Sequence, residues 1–140
     1  MFDALNVSAT GLTAERLRMD VTAENLANAQ TTRGADGQPY RRKEVVLQEA
    51  GAGVGASFAD SLRVARGVKV AGIVQDPSPS RRVYDPGHPD ADAKGYVSMP
   101  NVNTVTEMTD LIGASRAYEA NVTAMQTTKA MFARTLDILK

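Results

Sequence analysis

TVTEMTDLIGASRAYEANVTAMQTTKAMFARTLDILK, residues 104–140, is the stretch that decides the fold. Leu111, Tyr118, Met125, Phe132 and Leu139 recur along it every seven residues. Ser115, Val122 and Leu136 fall four places after members of that row, with Lys129 as the one charged exception. This is the a/d spacing of a helix that packs along another helix. Thr104 followed by Glu107 has the form of a capping box, which predicts the helix start. Apart from Gly113, no residue between Thr104 and Lys140 interrupts a helix. At ~1.5 Å per residue it would run on the order of 50 Å.

The N-terminus carries the matching partner. From Asp3 to Asn28 there is no proline and only one glycine, Gly11. Leu5, Leu12, Met19 and Leu26 form one heptad row, with Ala9, Ala23 and the stem of Arg16 as companions. Val7, Ala14, Val21 and Asn28 form a second row beside it. Two helices at opposite ends of a chain can pair with each other, yet their outer faces stay partly apolar. Neighbouring copies are the natural cover, because the middle of the chain offers no further helix. Asn25 and Asn28, three apart near the end of the first helix, leave two readings open. Asn28 is a C-terminal cap, or both amides bond across a helix–helix contact and fix its register.

Residues between the helices change character. Gln30–Pro39 is rich in turn formers, and Gly51–Ser57 in glycine and alanine. Tyr40–Gln48 and Gly67–Gln75 read as strands, and the short runs Arg82–Asp85 and Tyr96–Met99 complete a small sheet. The fold class expected is therefore α+β and predominantly helical, with long terminal helices pairing as a coiled coil. Residues 1–32 and 101–140 make the helical core, and residues 33–100 a small β-rich middle domain with a flexible loop near 51–66.

Composition narrows the function. Sixteen basic and sixteen acidic residues cancel, so no net field attracts a nucleic acid. Aromatic residues make up only 5% of the 140, which favours an elongated helical object over a dense globule. The absence of cysteine excludes a disulfide framework, a thiolate zinc site and a cysteine nucleophile. Met1 to Asn6 lacks a basic, apolar leader, and no run approaches the ~18 apolar residues of a membrane span. One run, Val83-Tyr-Asp-Pro-Gly-His-Pro-Asp-Ala-Asp92, gathers Asp85, His88, Asp90 and Asp92 as conceivable metal ligands. Its Pro86, Gly87 and Pro89 are also what a rigid turn requires, with each Asp bonding its own backbone. Gly51-Ala-Gly-Val-Gly55 lacks the lysine and strand-to-helix setting of a phosphate loop. Arg41-Arg-Lys43 and Arg81-Arg82 read as solvated strand ends or subunit ion pairs.

With these blocks in hand, the chain resembles a known family. Ala23-Glu-Asn-Leu-Ala-Asn-Ala-Gln-Thr31 is similar to the Asn-Asn-Leu-Ala-Asn signature of flagellar rod and hook proteins, with Glu24 where that family has Asn or Ser. Residues 36–43, 83–92, 95–103 and 115–121 follow in the family's order and resemble its proximal rod members. The resemblance implies a structural subunit of the bacterial flagellar basal-body rod, with no enzymatic activity and no cofactor or metal. Such a subunit self-assembles helically, transmits torque and encloses the export channel. Its partners are copies of itself, other rod proteins and the flagellar type III export apparatus, with no nucleic acid, small-molecule substrate or direct membrane insertion. It works in the periplasm and is exported without a cleaved signal peptide. The subunit-interface residues expected are Leu5, Leu12, Met19, Asn25, Leu26 and Asn28 on the first helix. On the second they are Leu111, Tyr118, Asn121, Val122, Met125, Phe132, Leu136 and Leu139. The alternative is a metal-dependent enzyme built on His88, Asp90 and Asp92.

Overall fold

The computed structural model describes residues 2–34, 36–50 and 67–138. Two long helices dominate, α1 over Phe2–Ala27 and α2 over Thr104–Ile138. Between them lie β1 (Lys43–Glu49), β2 (Val68–Gln75), β3 (Arg81–Tyr84) and β4 (Tyr96–Met99). The mostly helical α+β fold holds, with the terminal helices in contact and a small antiparallel middle region. The flexible loop expected near 51–66, and Leu139, lie outside the described residues.

α1 and α2 run antiparallel. The end of α1 meets the start of α2 where Asn25 bonds Glu107, and Gly11 faces Asn121 further along. A Cβ on Gly11 would stand 3.1 Å from the Asn121 Nδ2, so its absence lets the two backbones come close. The buried apolar side chains of the pair are correspondingly small: Ala14, Val21 and Ala114. Of the two rows on α1, it is the alanine–valine row whose middle members, Ala14 and Val21, are buried. Leu5, Leu12, Met19 and Leu26 sit half-buried at its margin. Because α1 is the shorter helix, the last turns of α2 project past its N-terminal end, and Met131 to Asp137 are exposed throughout.

The start of α2 departs from the expected capping box. Asn103 is the N-cap: its Oδ1 accepts the Val105 N–H at 3.1 Å, and its carbonyl takes the Glu107 N–H at 3.0 Å. Glu107 does not turn back to the helix end, because its carboxylate is held elsewhere.

All four expected strands form, though as two separate hairpins rather than one sheet. β1 pairs with β2, with an irregularity between Val46 and Leu47, and β3 pairs with β4. The link from β2 to β3 explains the break. Pro77 and Pro79 cannot donate to a ladder, and the Asp76 carboxylate accepts the Ser78 N–H at 2.8 Å, turning the chain away. The β1–β2 hairpin lies along α1. It is tied there at one end by Asn25 to Lys43, and at the other by the Val68 N–H to the Thr10 Oγ1 at 3.1 Å.

Gly95 turns the chain into β4 at φ 80°, and a Cβ there would lie 2.9 Å from the Tyr84 ring and 3.2 Å from Pro86. Gly95→Ala is expected to lower unfolding free energy by about 1–3 kcal/mol in urea titration. Gly72→Ala, where a Cβ meets nothing within 4 Å, should change it by less than ~0.5 kcal/mol.

Candidate functional site

Two features stand out on the helix pair: a buried polar junction at one end and an open apolar groove at the other. The junction centres on Asn25 and Glu107, each only 1% exposed. Asn25 Nδ2 donates to the Lys43 carbonyl at 2.8 Å and to Glu107 Oε2 at 2.9 Å. Its Oδ1 accepts from the Lys43 N–H and the Tyr40 hydroxyl, both at 2.9 Å. Both donors and both acceptor positions of the amide are therefore filled. The other carboxylate oxygen of Glu107 accepts from Arg42 Nε at 2.5 Å. The same guanidinium pairs with Glu44 and, at 3.5 Å, with Asp110. The Arg42 backbone is held in turn: its N–H donates to Asn101 Oδ1 at 2.8 Å, and its carbonyl accepts the Asp76 N–H at 2.8 Å. Lys43 reaches Glu24 at 2.5 Å, with its ammonium 5.7 Å from the Tyr40 ring centroid. One junction thus joins α1, β1, the β2–β3 turn and α2.

Of the two readings for the asparagine pair, each residue takes one. Asn28 closes the helix end: its Nδ2 donates to the Glu24 carbonyl at 2.9 Å, and its Oδ1 accepts from Thr31 at 3.2 Å. Asn25 makes the cross-helix bond, inside the chain. Glu107, Arg42, Tyr40 and Asn101 were not singled out by the sequence as site residues. The one available signal was the basic cluster Arg41-Arg-Lys43. Two of its members turn out to form ion pairs within the chain.

Tyr40 carries the electrostatic signature of the junction. Partial burial, and then the charges of Glu24 and Glu107, push its phenol up to about 12 from the ordinary 10.0.

At the far end, Leu5 and Leu12 from α1 face Val122, Met125, Gln126, Lys129 and Phe132 from α2 across an open groove of about 490 Å³. Leu111 and Tyr118 are half-buried along the pair. Asn121 donates to the Ala117 carbonyl at 3.0 Å while packing on Gly11. Leu136 lies on the projecting turns, 49% exposed. Among the described residues from 3 to 137, no Leu, Ile, Met or Phe is buried.

The Val83–Asp92 run is a turn. Asp85 Oδ1 accepts the Gly87 N–H, His88 Nδ1 accepts the Asp90 N–H, and Asp92 Oδ1 accepts from the amides of Lys94 and Tyr96. Those Tyr96 and Lys94 bonds hold the Asp92 carboxyl below its ordinary range. Asp90 is engaged by Thr32 at 2.8 Å, and Asp92 by Arg82 at 3.1 Å. Among the described residues, no three His, Cys, Asp or Glu side chains converge as a metal site.

Comparison with known proteins agrees with this architecture. Residues 5–35 match the family described as flagella basal body rod protein, and residues 93–138 the family described as flagellar basal body rod FlgEFG protein C-terminal. The chain is 49% identical to the flagellar basal-body rod protein FlgC of Bacillus subtilis, covering 99% of this chain and 98% of that protein. It is 47% identical to the FlgC of Borreliella burgdorferi, covering 100% and 98%. The FlgC of Escherichia coli O6:H1 is 45% identical, covering 99% and 97%.

Glu107→Ala, which strands the Arg42 guanidinium, is expected to cost about 3 kcal/mol or more in chemical denaturation. Asn25→Ala should cost about 2–3 kcal/mol and Asn28→Ala under ~1 kcal/mol. Equal losses at the two asparagines would contradict the assignment of roles. Tyr40 has a folded pKa above its unfolded value. Its contribution is therefore full below pH 10 and is lost as pH rises towards about 12. Melting temperature should fall over that window in the wild type, and more shallowly in Tyr40→Phe.

Proposed function

We propose how this chain, which belongs to the FlgC family of flagellar basal-body rod proteins, serves as a structural subunit of the rod. It takes its place in the proximal rod, in the periplasm, after export through the flagellar type III apparatus. There it packs helically with copies of itself and with other rod proteins. Residues 1–32 and 101–140 form the inner helical layer around the export channel, and residues 33–100 form a small outer domain. The role is mechanical, with no reaction to catalyse.

One observation carries this reading: the heptad residues are only partly covered inside the single chain. Leu5, Leu12, Met19, Leu26, Leu111, Tyr118, Val122 and Met125 are half-buried, and Leu136 is exposed. These positions, with Asn121, Phe132 and Leu139, form the proposed subunit interface. Asn28 closes the end of α1 at its edge, and Asn25 holds the helices in register from within. Full burial of a large apolar side chain stabilises by roughly 1.5–3 kcal/mol, so covering the remaining half adds about 1 kcal/mol. About ten such gains only match the ~4–15 kcal/mol cost of association. A firm place in the rod therefore requires burial against more than one neighbour. Torque passes through such a subunit because the polar junction fixes the outer hairpin to the helix pair.

Leu12→Asp and Leu136→Asp are expected to abolish swimming in soft agar and incorporation into isolated basal bodies, while the subunit is still exported. His88→Ala should swim like the wild type. Normal motility in both aspartate variants would refute the proposal, and lost motility in the histidine variant would revive the metal reading.

A further inference from the structure

A second set of large apolar side chains lies at the opposite end of α2 from the groove. Val105, Met108 and Ile112 are 70%, 51% and 55% exposed. Spaced three and then four apart, they make one continuous ridge. At ~100° per residue the ridge points well over a quarter turn away from Glu107 and Ala114, the buried positions that face α1. A contiguous apolar stripe left in water marks an interaction surface.

We propose that the ridge of one copy seats in the α1–α2 groove of the next copy, a single head-to-tail contact that rests on the rod-subunit reading above. The first argument is symmetry. Ridge and groove are different patches at opposite ends of one molecule, so a contact between them is heterologous, and with an axial step between copies it stays open and repeats along an axis. Pairing either patch with itself would stop at a dimer and leave the other patch wet. The second argument is shape. The three ridge side chains span ~10 Å of helix, and the α2 wall of the groove from Val122 to Phe132 spans ~15 Å. The ridge therefore fits within the groove's length, in the ridge-into-groove manner of packed helices.

Charge supplies the third argument. Glu119 continues the line of the ridge two turns beyond Ile112, and Lys129 lines the groove. Neither charge has an ion-pair partner among the described residues. Co-oriented copies with Ile112 level with Met125 place Met108 level with Asn121, one residue from Val122. Glu119 of one copy then falls within about one turn of Lys129 of the next. The implied axial step is on the order of 20 Å.

The chain has no cysteine, so introduced thiols report the contact directly. Basal bodies assembled from an equal mixture of Met108→Cys and Val122→Cys chains, each with a different epitope, would be oxidised and resolved without reductant. The expected product is a disulfide dimer carrying both epitopes, at least tenfold above either variant alone. The pair Ile112→Cys and Met125→Cys gives the same readout if the first pair does not incorporate. Dimers from either single variant, cross-links to a different rod protein, or no cross-link from incorporated chains would overturn the contact. The wild-type chain is scored in parallel. Its absence from basal bodies would overturn the rod-subunit reading itself, whereas its presence without the mixed dimer overturns only the ridge-to-groove contact.

Discussion

The carboxylate of Glu107 sits almost fully out of water, between the Asn25 amide and the Arg42 guanidinium. An isolated charge in that position would cost several kcal/mol, and removing either partner restores that cost. The arrangement therefore persists only if three distant segments arrive together: the last turns of α1, the first residues of β1 and the first turn of α2. An apolar trio of similar volume would tolerate a slip of one helix turn. A bidentate acceptor held by two directional donors does not. The polar junction thus fixes the register of the helix pair and the placing of the hairpin on it.

That register has a consequence for packing. Gly11, Ala14 and Ala114 allow the helices to approach closely, so the pair is joined through its small residues. The leucines and methionines are left at the margins. An ordinary bundle would reverse this distribution, with large side chains inside and small ones outside. Here the molecule holds itself together with polar geometry and small-residue contact, and its large heptad side chains are left only partly covered.

Much of this was legible in the sequence, for identifiable reasons. Uninterrupted heptads announced both helices, and alternating or β-branched runs announced all four strands. Two kinds of feature were not. The capping box at Thr104 and Glu107 satisfies a local rule, but a long-range partner claimed the carboxylate and Asn103 took over the cap. Likewise, Arg42 is indistinguishable from its neighbour Arg41 by composition. Only the fold shows that one is turned to Glu107 and the other to solvent. The prolines after β2 were visible, yet their effect of splitting the sheet into two hairpins depends on tertiary placement. Among the helix-face residues, the heptad rows picked out five that line the groove: Leu5, Leu12, Val122, Met125 and Phe132. The ridge at Val105, Met108 and Ile112 escaped notice because it lies off the seven-residue row.

The β1–β2 hairpin is closed at Ala50 and Gly67 by a 2.8 Å backbone bond, and Thr10 anchors the start of β2 to α1 just beside it. Whatever joins those two residues begins and ends at the same fixed point. Its length can change at a closure cost that grows only logarithmically, about 0.6 kcal/mol per doubling. An insertion or deletion between residues 50 and 67 is therefore cheap for this fold, since both flanking strands stay tied to each other and to α1.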